Sequence, residues 1–135
     1  MHKGYIKTAA FLGALSVMLG AFAAHGLKQV ANDQTIAIFE TGTRYQFYHV
    51  FALALSALLY KSYPNKLITA SGVLFILGIV FFSGSLYIYT YKIIYSIPSL
   101  NWIVFLTPIG GVLFIAGWLC LSLGIKDVET DEKNG

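Results

Sequence analysis

The stretch Glu40-Thr-Gly-Thr-Arg-Tyr-Gln-Phe-Tyr-His49 is followed by a run without charge that extends from Val50 to Tyr60. This stretch is the most polar segment of the chain that borders a hydrophobic run. A polar segment that passes directly into uncharged sequence is typical of the point where water gives way to hydrocarbon. The boundary predicts that the chain enters a membrane here.

The composition of the whole chain points to the same environment. Hydrophobic residues make up 57% and charged residues 11% of the 135 residues, whereas a soluble domain carries about 25% charged residues. The net charge of +3 is spread over the ends of the apolar runs and forms no basic patch. We therefore expect the lipid bilayer as the surroundings of the protein and no nucleic-acid partner.

The hydrophobic runs predict one all-α domain over residues 1–135, a polytopic bundle of four transmembrane helices. A run of roughly 20 apolar residues is long enough to cross a bilayer core as a helix. Tight-turn and polar segments separate the runs. The predicted elements are helix 1 at 8–27, a connection at 28–43, helix 2 at 44–60, helix 3 at 67–91, helix 4 at 102–125, and a charged tail at 126–135.

Two points leave alternatives open. The run of helix 1 could be a secretory signal peptide, since Ala21-Phe-Ala23 resembles a small-x-small cleavage site. Its length exceeds a signal core of about 7–15 residues, and the chain after it is itself mostly apolar, so we favour a helix that stays in the protein. Pro108 predicts either a kink inside helix 4 or a later helix start, with Thr107 as the cap.

The basic residues predict the orientation. With four spans both termini lie on one side of the membrane, and that side holds six of the nine basic residues. Because basic residues favour the cytoplasmic side, we expect a multi-pass protein of the bacterial cytoplasmic membrane with both termini inside. The six are Lys3, Lys7, Lys61, Lys66, Lys126 and Lys133, against Lys28, Arg44 and Lys92 on the other side.

Small residues recur at heptad spacing along three of the predicted helices. Lipid tails are as apolar as leucine, so membrane helices associate through close backbone approach, which small side chains permit. We expect these positions to form packing seams. They are Gly13 and Gly20 in helix 1, Ser71, Gly78 and Ser85 in helix 3, and Gly110, Gly117 and Gly124 in helix 4.

Polar residues of unusual character fall at one level in the outer half of the predicted bundle. On a helix, Glu40 and Arg44 share a strip, and Tyr45 and His49 share the neighbouring strip. Helix 1 is antiparallel to helix 2 across the connection, so we expect one hydrogen-bonded cluster that includes a residue near the end of helix 1. The candidate cluster is His25, Glu40, Arg44, Tyr45, His49 and Tyr87.

This cluster has plainer interpretations. Glu40 and Arg44 could neutralise each other at the interface, with Arg44 extending toward the headgroups. His25 and His49 lack a third ligand or a Cys/His spacing motif, so no metal site and no cofactor are predicted. Buried histidines more often hydrogen-bond across helices, because an unpaired polar group in hydrocarbon costs several kcal/mol.

Several blocks of the chain together resemble a known family. They are Leu19-Gly-Ala-Phe-Ala-Ala-His-Gly-Leu27, the stretch 40–49, Phe82-Ser-Gly-Ser-Leu-Tyr87, Thr107-Pro-Ile-Gly-Gly111 and Ala116-Gly-Trp118. In this order they resemble domain-of-unknown-function family 423, the YgdD-like and transmembrane protein 256 group of small four-helix membrane proteins. Ala23, where glycine is usual, and Thr43, where an apolar residue is usual, depart from the pattern. The resemblance implies a polytopic membrane fold and supplies no catalytic residue.

Three classes of function remain open from the sequence. No Ser/His/Asp set, phosphate loop or pair of carboxylates suited to hydrolysis occurs, so we assign no catalytic residue and do not expect an enzyme. We favour a non-catalytic scaffold or assembly partner, which could form a homo-oligomer or bind another membrane protein. The alternative is a proton-coupled carrier or a protein that binds a small molecule or lipid, using His25, Glu40, Arg44 and His49, and a membrane redox enzyme comes last.

Overall fold

The computed structural model describes residues 1–126, and every regular element in that part of the chain is helical. A π-helical segment joins α3 to α4, so these two form one continuous rod, Lys66–Tyr95. Four helical rods result. The elements are α1 (Lys3–Ala24), α2 (Asp33–Leu59), α3 (Lys66–Gly78), the π segment (Ile79–Ser83), α4 (Gly84–Tyr95) and α5 (Leu106–Gly124), with short 3-10 helices at Leu27–Gln29 and Pro98–Phe105.

Three of these rods are long and apolar enough to cross a membrane. By length and composition they are Lys3–Gln29, Lys66–Tyr95 and Pro98–Gly124. The fourth rod, α2, is 27 residues long but carries Asp33, Glu40 and Arg44 in its N-terminal half, which lowers its mean hydropathy. The all-helical prediction is confirmed, and the apolar rods number three.

Helix α2 begins earlier than the sequence pattern predicts. The Asn32 side chain accepts a hydrogen bond from the backbone N–H of Thr35 at 2.9 Å and so caps the helix. Asp33 in the first turn adds a negative charge at the positive end of the helix dipole. The connection is therefore much shorter than the predicted 28–43, and the whole polar stretch 40–49 is inside α2.

Helices α1 and α2 pack against each other along their length in antiparallel orientation. Near one end the His2 backbone N–H donates to the Ala57 carbonyl at 3.0 Å. At the centre the Gln46 side-chain amide donates to the Leu12 carbonyl at 3.1 Å. Near the other end the rings of Phe22 and Phe39 meet edge to face, with centroids 5.8 Å apart. These contacts fix which levels of the two helices face each other.

A glycine seam joins the rod of α3 and α4 to α5. We use this name for Gly78, Gly110, Gly117 and Gly124, each of which lies directly against the opposite helix. A Cβ at Gly117 would lie 2.7 Å from the Phe75 ring, and one at Gly78 would overlap the Phe114 ring. At Gly110 the neighbour is the backbone of Phe82 itself. Four of the predicted small-residue positions therefore lie at the contact between the two rods, whereas Ser71 is directed at α2, where its hydroxyl lies 2.9 Å from that of Ser56.

Two other glycines have different surroundings from those that the sequence predicts. A Cβ at Gly13 would make only an ordinary contact with Val50, at 3.5 Å, and a Cβ at Gly20 would have no neighbour within 4 Å. Helix α1 contacts α2 instead through the Leu12 carbonyl and the Phe22 ring, while its Tyr5 hydroxyl donates to the Thr69 carbonyl of α3. The heptad spacing in helix 1 does not correspond to a close-packing seam.

Pro108 lies in the first turn of α5 and causes no kink inside it. Helix α5 begins at Leu106, and the residues before it form the 3-10 helix Pro98–Phe105. A proline in the first turn costs no helical hydrogen bond, because its N–H would have no partner there. The predicted helix 102–125 therefore starts as a 3-10 helix. The α-helix begins later, at Leu106, but its N-cap residue is Phe105 and not the predicted Thr107.

Candidate functional site

The most elaborate polar site in the described chain surrounds His49. Its ring is buried and stacks face to face on Phe114, with centroids 3.5 Å apart and planes 8° from parallel. Its Nδ1 lies 2.7 Å from the Tyr45 carbonyl oxygen, one turn earlier in α2. Its Nε2 accepts a hydrogen bond from the Trp118 indole N–H at 3.1 Å. The imidazole thus ties α2 to α5 through Nε2, whereas Nδ1 holds the ring against the preceding turn of α2 itself.

These two partners determine the tautomer of His49. A carbonyl oxygen only accepts and an indole N–H only donates, so the hydrogen must be on Nδ1 and the lone pair on Nε2. That arrangement requires a neutral ring, since an imidazolium would present two donors and repel the indole N–H. Both nitrogens are already occupied, so neither has a lone pair directed at a ligand.

A second hydrogen-bonded group lies one turn above His49, where α1, α2 and α4 meet. Gln46 is 1% exposed, and its side-chain oxygen accepts the Tyr87 hydroxyl hydrogen at 2.6 Å. Its amide nitrogen donates to the Leu12 carbonyl. Nearby, the Ser83 hydroxyl in the π segment donates to the Gly42 carbonyl at 2.7 Å. Both ends of the Gln46 amide are therefore satisfied, and one side chain links three helices.

The π segment has a clear part in this arrangement. A π-helical turn is wider than an α-helical turn, so it rotates the side chains of α4 around the rod relative to those of α3. Ser83 is directed at α2, while Ser85, two residues later and so on the opposite side of the rod, is directed at α5, where its hydroxyl lies 2.6 Å from that of Thr107. Polar contacts to both neighbouring helices thus come from one short stretch.

The structure does not bring the predicted cluster together. Tyr45 and His49 are neighbours, with ring centroids 6.3 Å apart, but His25 is exposed at the C-cap of α1. Glu40 and Arg44 are exposed on the outer surface of α2, and within residues 1–126 their side chains form no hydrogen bond or salt bridge with each other. Tyr87 binds Gln46 and none of the predicted residues.

The early start of α2 explains this outcome. His25 is thirteen residues beyond Leu12, which faces Gln46, so at 1.5 Å per residue it lies about 20 Å above the level of Gln46. Matched depth between His25 and His49 would need α2 to begin near residue 44. Because α2 begins at Asp33, its polar stretch lies at the middle of the bundle instead.

Arg44 consequently lies at half depth on the outer surface. It is about 16 Å from the start of α2, and the neighbouring Tyr45 ring packs on Phe82, with centroids 4.7 Å apart. Phe82 is near the centre of the 30-residue rod Lys66–Tyr95. Glu40 lies one turn above Arg44 on the same surface. In the fold these two charges therefore lie near the middle of the rods and not at an end of the bundle.

Sequence reasoning missed Gln46 and Trp118. The sequence does contain a signal for Gln46: it precedes His49 by three residues and therefore lies on the same helical face. Trp118 is part of the Ala116-Gly-Trp118 block, but its partner is 69 residues away in the chain, and no spacing rule connects the two. The site around His49 depends on the contact of α2 with α5.

The polar interior of the described chain is complete in itself. In residues 1–126 every buried side-chain nitrogen and oxygen has a hydrogen-bond partner within the protein. In the same residues no three His, Cys, Asp or Glu side chains lie close enough together to hold a metal ion. The interior groups can position helices, whereas Glu40 and Arg44 are directed away from the bundle.

An all-helical bundle with three long apolar rods and an internally satisfied polar layer defines a helical membrane protein. The chain belongs to the family described as "Protein of unknown function (DUF423)", whose model matches residues 19–111. The family resemblance seen in the sequence is thus confirmed.

Relatives cover most of the chain. It is 40% identical over 127 residues to a UPF0382 membrane protein of Haemophilus influenzae. The aligned residues cover 92% of this chain and 94% of the relative. It is 37% identical to the UPF0382 membrane protein YwdK of Bacillus subtilis, over 88% of this chain and 93% of the relative. It is 35% identical to the UPF0382 inner membrane protein YgdD of Escherichia coli, over 86% and 84%. No solved structure matches the chain.

Proposed function

We propose that this chain is a four-span protein of the bacterial cytoplasmic membrane, with both termini inside, that acts without catalysis as a scaffold or assembly partner. Three spans correspond to the long apolar rods, and α2 is the fourth. At 27 residues α2 is about 40 Å long, longer than a hydrocarbon core of about 30 Å. Its contacts with α1 and with the α3–α4 rod along its length support a crossing beside them.

The distribution of basic residues supports the orientation. Five described lysines lie at one end of the bundle. They are near helix ends that two contacts hold together: the His2 backbone bonds to Ala57, and the Asn65 side chain donates to the Gly124 carbonyl at 2.8 Å. Arg44 is at half depth and belongs to neither end. The excess at the first end favours the cytoplasm there. The five are Lys3, Lys7, Lys61, Lys66 and Lys126, against Lys28 and Lys92 at the other end; Lys133 and most of the predicted charged tail 126–135 lie outside the described residues.

A reporter fusion tests this topology. Alkaline phosphatase is active only outside the cytoplasm, so a fusion after Gly135 should show background activity, and one after Ser96, between α4 and α5, should be at least tenfold more active. Blots with an antibody to the reporter correct for expression. Activity at Gly135 together with inactivity at Ser96 would reverse the proposed orientation.

The observation that carries the assembly role is the contrast between the interior and the outer face of α2. The interior polar groups are satisfied within the chain. Glu40 and Arg44 are exposed on α2 and would face lipid at half depth. An arginine at the centre of a bilayer costs about 2.5–3.5 kcal/mol on insertion scales. A protein partner that covers this face would remove that cost, so the face is suited to lateral association.

The same contacts make a proton-coupled carrier a weaker proposal. His49 already uses both nitrogens in hydrogen bonds to Tyr45 and Trp118. His25 is about 20 Å above the level of Gln46 and cannot exchange a proton with His49 directly. A relay through the predicted residues would require the helices to separate.

A photo-cross-linking experiment tests the assembly role. Benzoylphenylalanine replaces Tyr48, which is 53% exposed on the outer face of α2, or, as a matched control, Val112, which is 64% exposed on α5. After irradiation of whole cells we expect a protein adduct at position 48 that is at least tenfold stronger than at position 112. Absence of a protein adduct at position 48 would contradict the assembly role.

A further inference from the structure

The outer face of α2 carries a row of side chains at alternating spacings of four and three residues. We call these seven residues the α2 outer row: Ala37, Thr41, Arg44, Tyr48, Phe51, Leu55 and Leu58. All seven are exposed or half-buried, and Phe51 is 67% exposed. This spacing is the heptad pattern that keeps one seam of a helix directed at a partner helix along its whole length.

We propose that a second copy of this chain binds along the α2 outer row, so that two α2 helices pack in parallel around a two-fold axis normal to the membrane. The inference rests on the proposed assembly role and names its partner. Copies inserted with the same orientation can meet through one shared face only in parallel, which is the geometry of a two-fold dimer. Heptad spacing suits the left-handed crossing that is common among membrane helices.

Charge complementarity favours a second copy over another partner. Glu40 lies one turn above Arg44, about 6 Å along the helix axis. In a parallel two-fold dimer each Arg44 side chain extends by that distance toward Glu40 of the other copy. Two-fold symmetry generates this pair of Arg44 with Glu40 twice, so the interface holds as many negative as positive charges. The face thus contains the complement of its own charges.

The side chains around the charges fit this packing. Ala37 and Thr41, on the turns beside Glu40, are small and four residues apart, which permits close backbone approach. Below Arg44 the row is aromatic and aliphatic, with Tyr48, Phe51 and Leu55. A polar pair within an otherwise apolar heptad seam fixes the register and the orientation of the two helices. Glu40 and Arg44 would have this role here.

Cysteine cross-linking in native membranes tests the proposal. Cys120 is first replaced by alanine, so that each variant carries one thiol. With copper phenanthroline as oxidant we expect Tyr48→Cys to give a disulfide-linked species of twice the chain mass. Val112→Cys on the outer face of α5, a matched exposed position, should give at least tenfold less. Equal yields at both positions would indicate random collisions and would overturn the proposal.

Charge reversal tests the pairing separately from folding. In the Tyr48→Cys background, Arg44→Glu should lower the dimer yield at least tenfold, because two acids then face two acids across the axis. Adding Glu40→Arg should restore the yield to within about twofold of the starting protein, because the complementarity is regained. A dimer yield unaffected by Arg44→Glu would overturn the pairing. So would a double variant that is present in the membrane in normal amount but does not recover its dimer yield.

The two experiments separate this inference from the proposed function. An adduct of benzoylphenylalanine at position 48 with a different protein, together with no dimer from Tyr48→Cys, would retain the assembly role and overturn the second copy. No protein adduct and no dimer would overturn both. An adduct of twice the chain mass, with the charge reversal and its rescue, is the expected result.

Discussion

Replacing Gly110 with leucine should destabilise the bundle strongly and lower its melting temperature far more than leucine at any lipid-facing position. A Cβ at this position would lie 2.6 Å from the Phe82 Cβ and 2.7 Å from its Cα, and it would overlap the backbone nitrogen. A backbone cannot rotate away as a side chain can, so the two helices must separate. Even Gly110→Ala should cost about 1–3 kcal/mol, the usual range for overpacking. Thermal unfolding in detergent, followed by tryptophan fluorescence, measures the effect.

The adjacent glycine provides the control. Gly111 has no neighbour within 4 Å of its Cβ position, so Gly111→Ala and Gly111→Leu should leave the melting temperature nearly unchanged. Equal melting temperatures for Gly110→Leu and Gly111→Leu would contradict the glycine seam. We expect intermediate losses at Gly78 and Gly117, whose neighbours are the rings of Phe114 and Phe75 and can shift.

His49→Ala is the second substitution with a large expected effect. It removes a buried ring that is stacked on Phe114 and leaves the indole N–H of Trp118 without its acceptor. Loss of a large buried side chain costs about 2–5 kcal/mol, and loss of the hydrogen bond from Trp118, a residue that is 43% exposed, adds about 0.5–1.5 kcal/mol. We expect a marked fall in the free energy of unfolding, measured in detergent by the same fluorescence signal.

Three further variants assign the cause of the loss. Leu119→Ala, which truncates a residue of α5 that is 59% exposed, should have little effect. Trp118→Phe should cost less than His49→Ala. The sum of these two losses should exceed the loss in the double variant that combines them, because both substitutions remove the same hydrogen bond. A membrane double-mutant cycle for such a bond gives about 0.6–1.7 kcal/mol. Additive losses would show that the Trp118–His49 bond contributes nothing.

The sequence by itself determined the class of the protein and several local features. Its apolar runs predict a helical membrane protein because a helix satisfies its own backbone hydrogen bonds in hydrocarbon. Ala52 and Ser56 follow His49 by three and seven residues, so helical spacing alone puts the three on one face, and all three are buried. Each of these conclusions depends on neighbours along one helix.

Only the tertiary structure decided which small residues pack and which polar residues meet. Heptad spacing occurs at Gly13 and Gly20 as it does at Gly110 and Gly117, but only the second pair lies so close to another helix that a Cβ would not fit. Trp118 binds His49 across 69 residues, and Arg44 lies at half depth because α2 begins at Asp33. Periodicity identifies a face of a helix, whereas the partner of that face and its depth depend on the register between helices, which is set by contacts distant in the chain.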